Sequence, residues 1–273
     1  MDPLRVGLAI LLLLAVSFWG GQVAQRWLRE AHRSRDTIDS VRVVITLLVT
    51  FAAIVMGMLI TDSQTKLGSL EAGLRGLSIA IAEVDRNLRE YGSSVDPLRA
   101  ELIRYTKETI ADTWRDETPP PGDYPHRLAT FADGSVESVK LTTILHRIDL
   151  AIHHLAPDDD FHRSVAATLR LRMDALQDQR WNLIENAQPS LSWAFLGILM
   201  FWLAVIFLIA GLSSPRNLLV IVVAMLATVS IASSIYLAVD LDTPLSGFIR
   251  LSSAPLRDAL AHLVAPPLPA GAP

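Results

Sequence analysis

The sequence predicts an all-α integral membrane protein with four transmembrane helices in two hairpin pairs and a helical bundle domain inserted between helices two and three. Three observations predict it. Of 273 residues, 51% are hydrophobic and only 19% charged, with a mean hydropathy of +0.37, a balance unsuited to a soluble chain of this size. Four stretches hold no Asp, Glu, Lys or Arg: Val6 to Gln25, Val43 to Thr61, Asn186 to Pro215 and Asn217 to Val239. Each can cross a hydrocarbon core roughly 30 Å thick at about 1.5 Å per helical residue. Between the second and third stretches the apolar pattern is helical, with no alternating strand run. Such a chain is neither a soluble enzyme nor a free nucleic-acid binder, and with no cysteine it has no disulfide, thiolate chemistry or Cys-ligated metal.

The first apolar stretch opens with Arg5 and continues past Phe18 and Trp19 to Trp27 without an A-x-A cleavage site, so it reads as an anchor. Helix two, about Val41 to Thr61, carries small residues Ala52, Ala53 and Gly57 that permit close helix approach. Leu67, Leu70, Leu74, Leu77, Ile81, Val84 and Leu88 then recur at steps of three and four, the period of a packing seam. Only scattered glycines interrupt residues 57 to 90, so helix two is predicted to leave the membrane as one rod ending near Tyr91-Gly92.

A second domain helix runs from about Ser94, with Pro97 behind it, to Glu117, placing Val95, Leu98, Leu102, Tyr105 and Ile110 on one face. Thr118 to Gly134, with Pro119-Pro120-Pro121-Gly122, reads as an extended surface loop. A third helix, about Ser135 to Leu155, buries Leu141, Ile144 or Leu145, Ile148, Ile152 and Leu155, and a fourth runs from Phe161 to about Ala187. Asp158, Asp159 and Asp160 stand at the fourth helix's positive end. The connection Ser213 to Asn217 is short enough to fold membrane helices three and four into an antiparallel hairpin.

The expected division is residues 1–62 for membrane helices one and two, 63–190 for the domain, 191–240 for helices three and four, and 241–273 for an interfacial tail with a disordered end. In that tail Pro244, Gly247 and Pro255 punctuate Leu245, Phe248, Ile249, Leu251, Leu256 and Leu260, which would pack on the bilayer interface or on the domain.

Arg26, Arg29, Arg33, Arg35 and Arg42 crowd the connection between helices one and two, which places that connection in the cytoplasm of a bacterial inner membrane and the domain outside. The domain's own charge does not resist export, since residues 63–190 hold 15 Lys plus Arg and 20 Asp plus Glu.

No G-x-S-x-G, P-loop, H-E-x-x-H or glycine-rich nucleotide turn occurs, and the domain has no basic stripe, so neither an enzyme nor a nucleic-acid partner is expected. His146, Asp149 and His153 share a helix face, but the two histidines stand about 10 Å apart along it, a poor fit to one zinc. The run Asp158 to Asp160 lacks the spaced oxygens and glycine of a calcium loop. No metal or cofactor is expected. Asp62, Asp240 and Asp242 emerge at one membrane face, near Arg180, Arg250 and Arg257. They read either as a carboxylate vestibule paired with those arginines or as helix stops in interfacial water. Ser230, Ser233 and Ser234 read as helix-bonded hydroxyls.

The segment YGSSVDPLRAELIRYTKETIADTW at 91 to 114, the Arg180-Trp181 pair and DLDTPLSGFIRLSSAPLRDAL at 240 to 260 resemble the bacterial bestrophin-like membrane family. Through distant similarity to bestrophins, pentameric anion channels with a large helical cytosolic domain, the resemblance implies a homo-oligomeric ion pore lined by helix two and a cytosolic domain, opposite to the arginine reading. Thr46, Val49, Thr50, Ala53, Met56 and Ile60 would then line the path. The alternative is a non-conducting, membrane-anchored interaction or sensor module whose seam from Leu67 to Leu88 docks a partner.

Overall fold

The computed structural model describes residues 3–27, 35–122, 139–188, 193–215, 217–242 and 251–265. Helices in chain order are α1 (Pro3–Ala24), α2 (Arg35–Tyr91), α3 (Asp96–Thr113), α4 (Val139–His153), α5 (Asp160–Asn186), α6 (Trp193–Ser213), α7 (Leu218–Leu241) and α8 (Ala254–Val264), with no strand among the described residues. Four of them are long and apolar enough to cross a membrane, at Leu4–Trp27, Ser40–Tyr91, Trp193–Ser213 and Leu218–Leu241. The chain divides into two compact units, Met1–Leu67 with Pro189–Ile249, and Gly68–Gln188 with Arg250–Pro273.

In the first unit α1 packs against α6 and α7. Because lipid tails are as apolar as leucine, helices here associate by close van der Waals fit. Glycine supplies it. A Cβ on Gly21 would stand 2.0 Å from the Leu208 carbonyl oxygen, and one on Gly211 would stand 2.1 Å from that of Phe18, so the two backbones touch. Arg5 to Leu13 share a groove with Trp193 to Met200, while Phe18 to Gln22 meet Leu208 to Leu212, so α1 and α6 run parallel. Gly7 instead meets the Tyr236 side chain at 3.1 Å, near the far end of α7. Ile10, Leu14, Phe18, Ala52, Leu59, Leu203, Ile206 and Ile235 form the core of this unit.

In the second unit the leucine seam is the core. Leu70, Leu74, Leu77, Ile81, Val84 and Leu88 are each at most 2% exposed, and Leu67 is half-buried. They pack with Leu102, Tyr105, Ile148, Ile152, Leu169, Met173, Leu256 and Leu263. Each such fully buried aliphatic side chain contributes about 1.5–3 kcal/mol relative to exposure. The seam is therefore occupied within the chain and is not free to dock a partner.

Several boundaries differ from expectation. α2 begins at Arg35, upstream of Val41, because the helix extends past its apolar stretch. Gly92, with φ of 107°, ends that helix, and residues 93–95 form a 3-10 turn, so Ser94 does not cap α3. α3 stops at Thr113, short of Glu117, where the Trp114 indole turns to donate to the Leu251 carbonyl at 2.6 Å. α5 starts at Asp160, with the Asp159 carboxylate accepting from the His162 amide at 2.7 Å. In the tail, Leu251, Leu256, Leu260 and Leu263 are buried in the second unit's core, the packing on the domain that the sequence offered beside the bilayer interface. The expectations for residues 28–34, 123–138, Pro244, Leu245, Gly247, Phe248 and Ile249 fall outside the described residues.

The second unit grips α8 at both ends. The Asp85 carboxylate, 4% exposed as a residue, accepts from Arg89 Nε and Arg99 Nε, each at 2.7 Å. Both arginines also donate to the carbonyls that end α8: Arg89 to His262 and Leu263 at 2.9 Å, and Arg99 to Leu263. Those carbonyls have no partners within the helix, and they form its negative pole. At the other end Arg257 pairs with Glu117 at 3.0 Å, and Ser253 donates to the same carboxylate.

Candidate functional site

α2 is the only span among the described residues that carries on well beyond the bilayer, and it is also the least covered. The chain buries 11% of its apolar window, against 28% for α1, 33% for α6 and 17% for α7. Only a narrow stripe is buried, at Ala52, Leu59 and Ser63. Opposite it, Thr46, Thr50, Ala53, Gly57, Thr61 and Thr65 are exposed at helical spacing. Their hydroxyls donate to the carbonyl one turn back, Thr46 to Arg42, Thr50 to Thr46, Thr61 to Gly57 and Thr65 to Thr61, each at 2.9 Å. The donors are thereby satisfied inside the helix, and the stripe presents small side chains and oxygen lone pairs.

The six helix-two candidates do not share one surface. Val49, Ala53, Met56, Gly57 and Ile60 line an apolar groove of about 830 Å³ together with Phe18, Ile206 and Ala224, so Ala53 and Gly57 stand on the border between groove and stripe. Met56 and Ile60 are half-buried there. Thr46 and Thr50 are not among its lining residues. Gly57, read in the sequence as a close-approach residue, and Thr61, not singled out there, extend the stripe; their spacing of seven and eleven from Thr50 was the available signal.

The described charged candidates are divided between the two units. Asp62 is exposed on α2. Asp240 and Asp242, at the end of α7, are 1% and 6% exposed, and Asp242 accepts from Lys66 Nζ at 2.7 Å. Lys66 was outside the predicted cluster, and one helical turn beyond Asp62 was its only sequence signal. Arg180 is buried in the second unit, where Nη2 donates to Thr142 Oγ1 at 2.7 Å and the guanidinium bonds the Tyr105 hydroxyl. Arg257 is taken by Glu117. Arg250 lies outside the described residues.

Titration in the second unit is shifted at three acids. On α3, Glu108 and Asp112 stand one turn apart, 2% and 7% exposed, and Glu108 Oε2 has no hydrogen-bond partner among the described residues. Burial pushes both carboxyls up. The Asp112 charge and, less strongly, Glu101 add to the rise at Glu108, while Arg104 and Lys140 oppose it; Arg115 and Lys140 oppose the rise at Asp112. Asp159 is held low by the His162 amide and ring. Burial also raises the Tyr105 phenol, against the pull of Arg180 and Thr109.

His153 contacts its own helix's Asp149 at 3.2 Å, His146 is exposed, and His162 stacks edge-on against Tyr91. Among the described residues no group of three or more His, Asp or Glu could hold a metal ion. Ser233 and Ser234 donate to the Ser230 carbonyl.

The model of the Bestrophin-like domain matches residues 11–256. No protein of curated description matches the chain. Among solved structures, a bacterial bestrophin homologue from Klebsiella pneumoniae with a tryptophan-to-alanine mutation superposes with a TM-score of 0.68 at 15% identity, covering 96% of this chain and 97% of that one. A form of the Klebsiella pneumoniae homologue with an isoleucine-to-threonine mutation superposes with a TM-score of 0.65 at 16% identity, covering 94% and 97%. A membrane protein with a proline-to-alanine mutation gives 0.67 at 17%, covering 94% and 97%. At these identities the likeness is one of fold.

Proposed function

This chain belongs to the bestrophin-like family, and from that premise we propose that copies of it ring a common axis to form an ion-conducting or ion-responsive membrane pore lined by α2. The carrying observation is the uncovered face of that helix. A span with 11% of its apolar window buried leaves most of its surface to lipid or to further copies, and a stripe of Thr46, Thr50, Ala53, Gly57 and Thr61 suits contact with a hydrated path better than with acyl chains. On this reading Val49, Met56 and Ile60 pack beside the path rather than line it. The pore has no catalytic chemistry, and its surroundings are lipid and further copies of the same chain.

The reading carries a topology: α1–α2 and α6–α7 as hairpin pairs flanking the inserted bundle of residues 63–190. The arginine-dense α1–α2 connection supports its placement in the cytoplasm of a bacterial inner membrane, with the bundle outside. Ser164, exposed on α5, and Trp27, exposed after α1, are replaced singly by cysteine in this cysteine-free chain. Labelling of Ser164→Cys, and not Trp27→Cys, by an impermeant maleimide in whole cells is expected; the reverse pattern places the bundle in the cytosol.

The pore is tested by native mass spectrometry in lipid nanodiscs and by ion flux from proteoliposomes. A closed ring is expected, with flux reduced tenfold or more by Thr50→Leu or Gly57→Leu. A monomer or dimer, or flux equal to that of empty vesicles, overturns the pore and leaves a non-conducting membrane-anchored module.

A further inference from the structure

The second unit treats its buried carboxyls in two ways. Asp85 is matched by Arg89 and Arg99, each at 2.7 Å. Glu108 and Asp112 close no ion pair among the described residues. They stand four positions apart on α3, where side chains are neighbours and like charges repel. Glu108 Oε2 is shut from solvent without a donor, and Arg104 Nε, one turn earlier, is shut from solvent without an acceptor, so these two orphans do not meet.

The charges around the pair come from few places. α3 itself brings Glu101, Arg104 and Arg115, and α4 brings Lys140, with Arg147 reaching Glu101 at 3.5 Å. α5 brings Arg180, which is engaged with Tyr105 and Thr142. α2 meets α3 through Asp85 and Arg99. α8 directs Arg257 to Glu117, and its Asp258 and His262 are exposed. An ionised carboxylate in such a place needs donors it does not have, whereas a neutral carboxyl needs fewer. Burial accordingly pushes both carboxyls up, and Lys140 is the cation that pulls both back.

Losing the proton therefore favours access to water, and α4 is the element that can yield. α3 is fixed along its length by the buried Leu102, Tyr105 and Ile110 and by the bond from Trp114 to the Leu251 carbonyl. The first turn of α4 is seated by less, the burial of Leu141 and the hydrogen bond that Thr142 accepts from Arg180. We propose that Glu108 and Asp112 form a proton-operated latch between α3 and α4, which keeps the first turns of α4 seated while the pair holds a proton and releases them when both carboxyls ionise. The latch acts inside the second unit and does not rest on ion conduction.

Backbone hydrogen exchange of the full-length protein in nanodiscs is followed by mass spectrometry from about pH 5 to about pH 9, each rate divided by its intrinsic value at that pH. Peptides over residues 139–145 are expected to lose protection by about tenfold across this range, while those over the seam from Leu70 to Leu88 keep theirs. Glu108→Gln combined with Asp112→Asn, which has no proton to lose, should hold α4 at its low-pH protection throughout. Lys140→Met should move the midpoint of the change to higher pH, because it removes the cation that opposes proton uptake at both carboxyls. Protection of α4 that does not vary with pH overturns the proposal, as does an unchanged pH dependence in the double variant. Should the double variant not fold, Lys140→Met at an exposed position decides the same question, and an unmoved midpoint overturns the latch. An equal loss over α4 and the seam reports opening of the whole unit and overturns it too, as does protection restored at high pH by calcium ions, which would assign the pair to a metal.

Discussion

Lys66 and Asp242 close an ion pair of 2.7 Å between α2 and the C-terminal end of α7, with 11% and 8% of their side chains exposed. Breaking such a pair from one side leaves a charge in a poorly solvated place, which costs about 3–5 kcal/mol in buried sites. Lys66→Met and Asp242→Asn are each expected to lower the detergent-solubilised melting temperature by several degrees. The double variant should lose less than the sum of the two, because neither charge is then stranded.

Gly21 and Gly57 make opposite predictions for the same substitution. Alanine at Gly21 would drive a methyl into the Leu208 carbonyl, so Gly21→Ala, and likewise Gly211→Ala, is expected to destabilise by about 1–3 kcal/mol as α1 and α6 separate. Gly57 has open space, and Gly57→Ala should hold or slightly raise stability, since alanine favours helix by about 1 kcal/mol. Thermal denaturation of the three variants checks this.

On the proposed pore, Asp62 tests the sign of the permeating ion. Exposed on α2 one residue after Thr61, it repeats around the proposed ring and places a carboxylate from each copy near the path. The bestrophin resemblance implies anions, which these carboxylates repel. Asp62→Lys is expected to move the reversal potential in a salt gradient toward the anion equilibrium value. An unmoved potential removes Asp62 from the path.

Glu108 and Asp112 give the second unit a pH dependence. Both titrate above their ordinary values of 4.5 and 3.8, so between those values and the raised ones the folded state binds more protons than the unfolded state. Stability from this source is fully present below the ordinary values and declines as pH rises through the raised ones. Glu108→Gln and Asp112→Asn should flatten that decline and raise stability at neutral pH, measured as melting temperature against pH. A slope equal to wild type counts against the pair.

What the sequence made legible was whatever is local. The four spans followed from runs without charge, and the seam from Leu70 to Leu88 followed from its three-and-four step, because hydropathy and helical period are properties of neighbouring residues. Nothing in those local patterns hints that Gly21 and Gly211 are the sites where α1 and α6 touch. Lys66 and Asp242 are 176 positions apart, and no pattern in either helix announces the other. Arg257 was grouped with the membrane-face acids by chain position, whereas Glu117, 140 positions away, holds it. The outward stripe of α2 was read only in part, since a threonine's exposure depends on what the other helices cover.

α8 is the last described helix, yet its leucines complete a core begun at Leu70, and its final carbonyls are held by Arg89 and Arg99. Synthesis runs from the N-terminus, so α3, α4 and α5 are made before α6 and α7, and α8 follows all of them. Until then the second unit lacks four of its core side chains, Leu251, Leu256, Leu260 and Leu263. Domains generally fold as units in the order they are made; this one cannot close before the last two spans have left the ribosome. A chain released before α8 is made would carry that core unfinished, without Leu251, Leu256, Leu260 and Leu263.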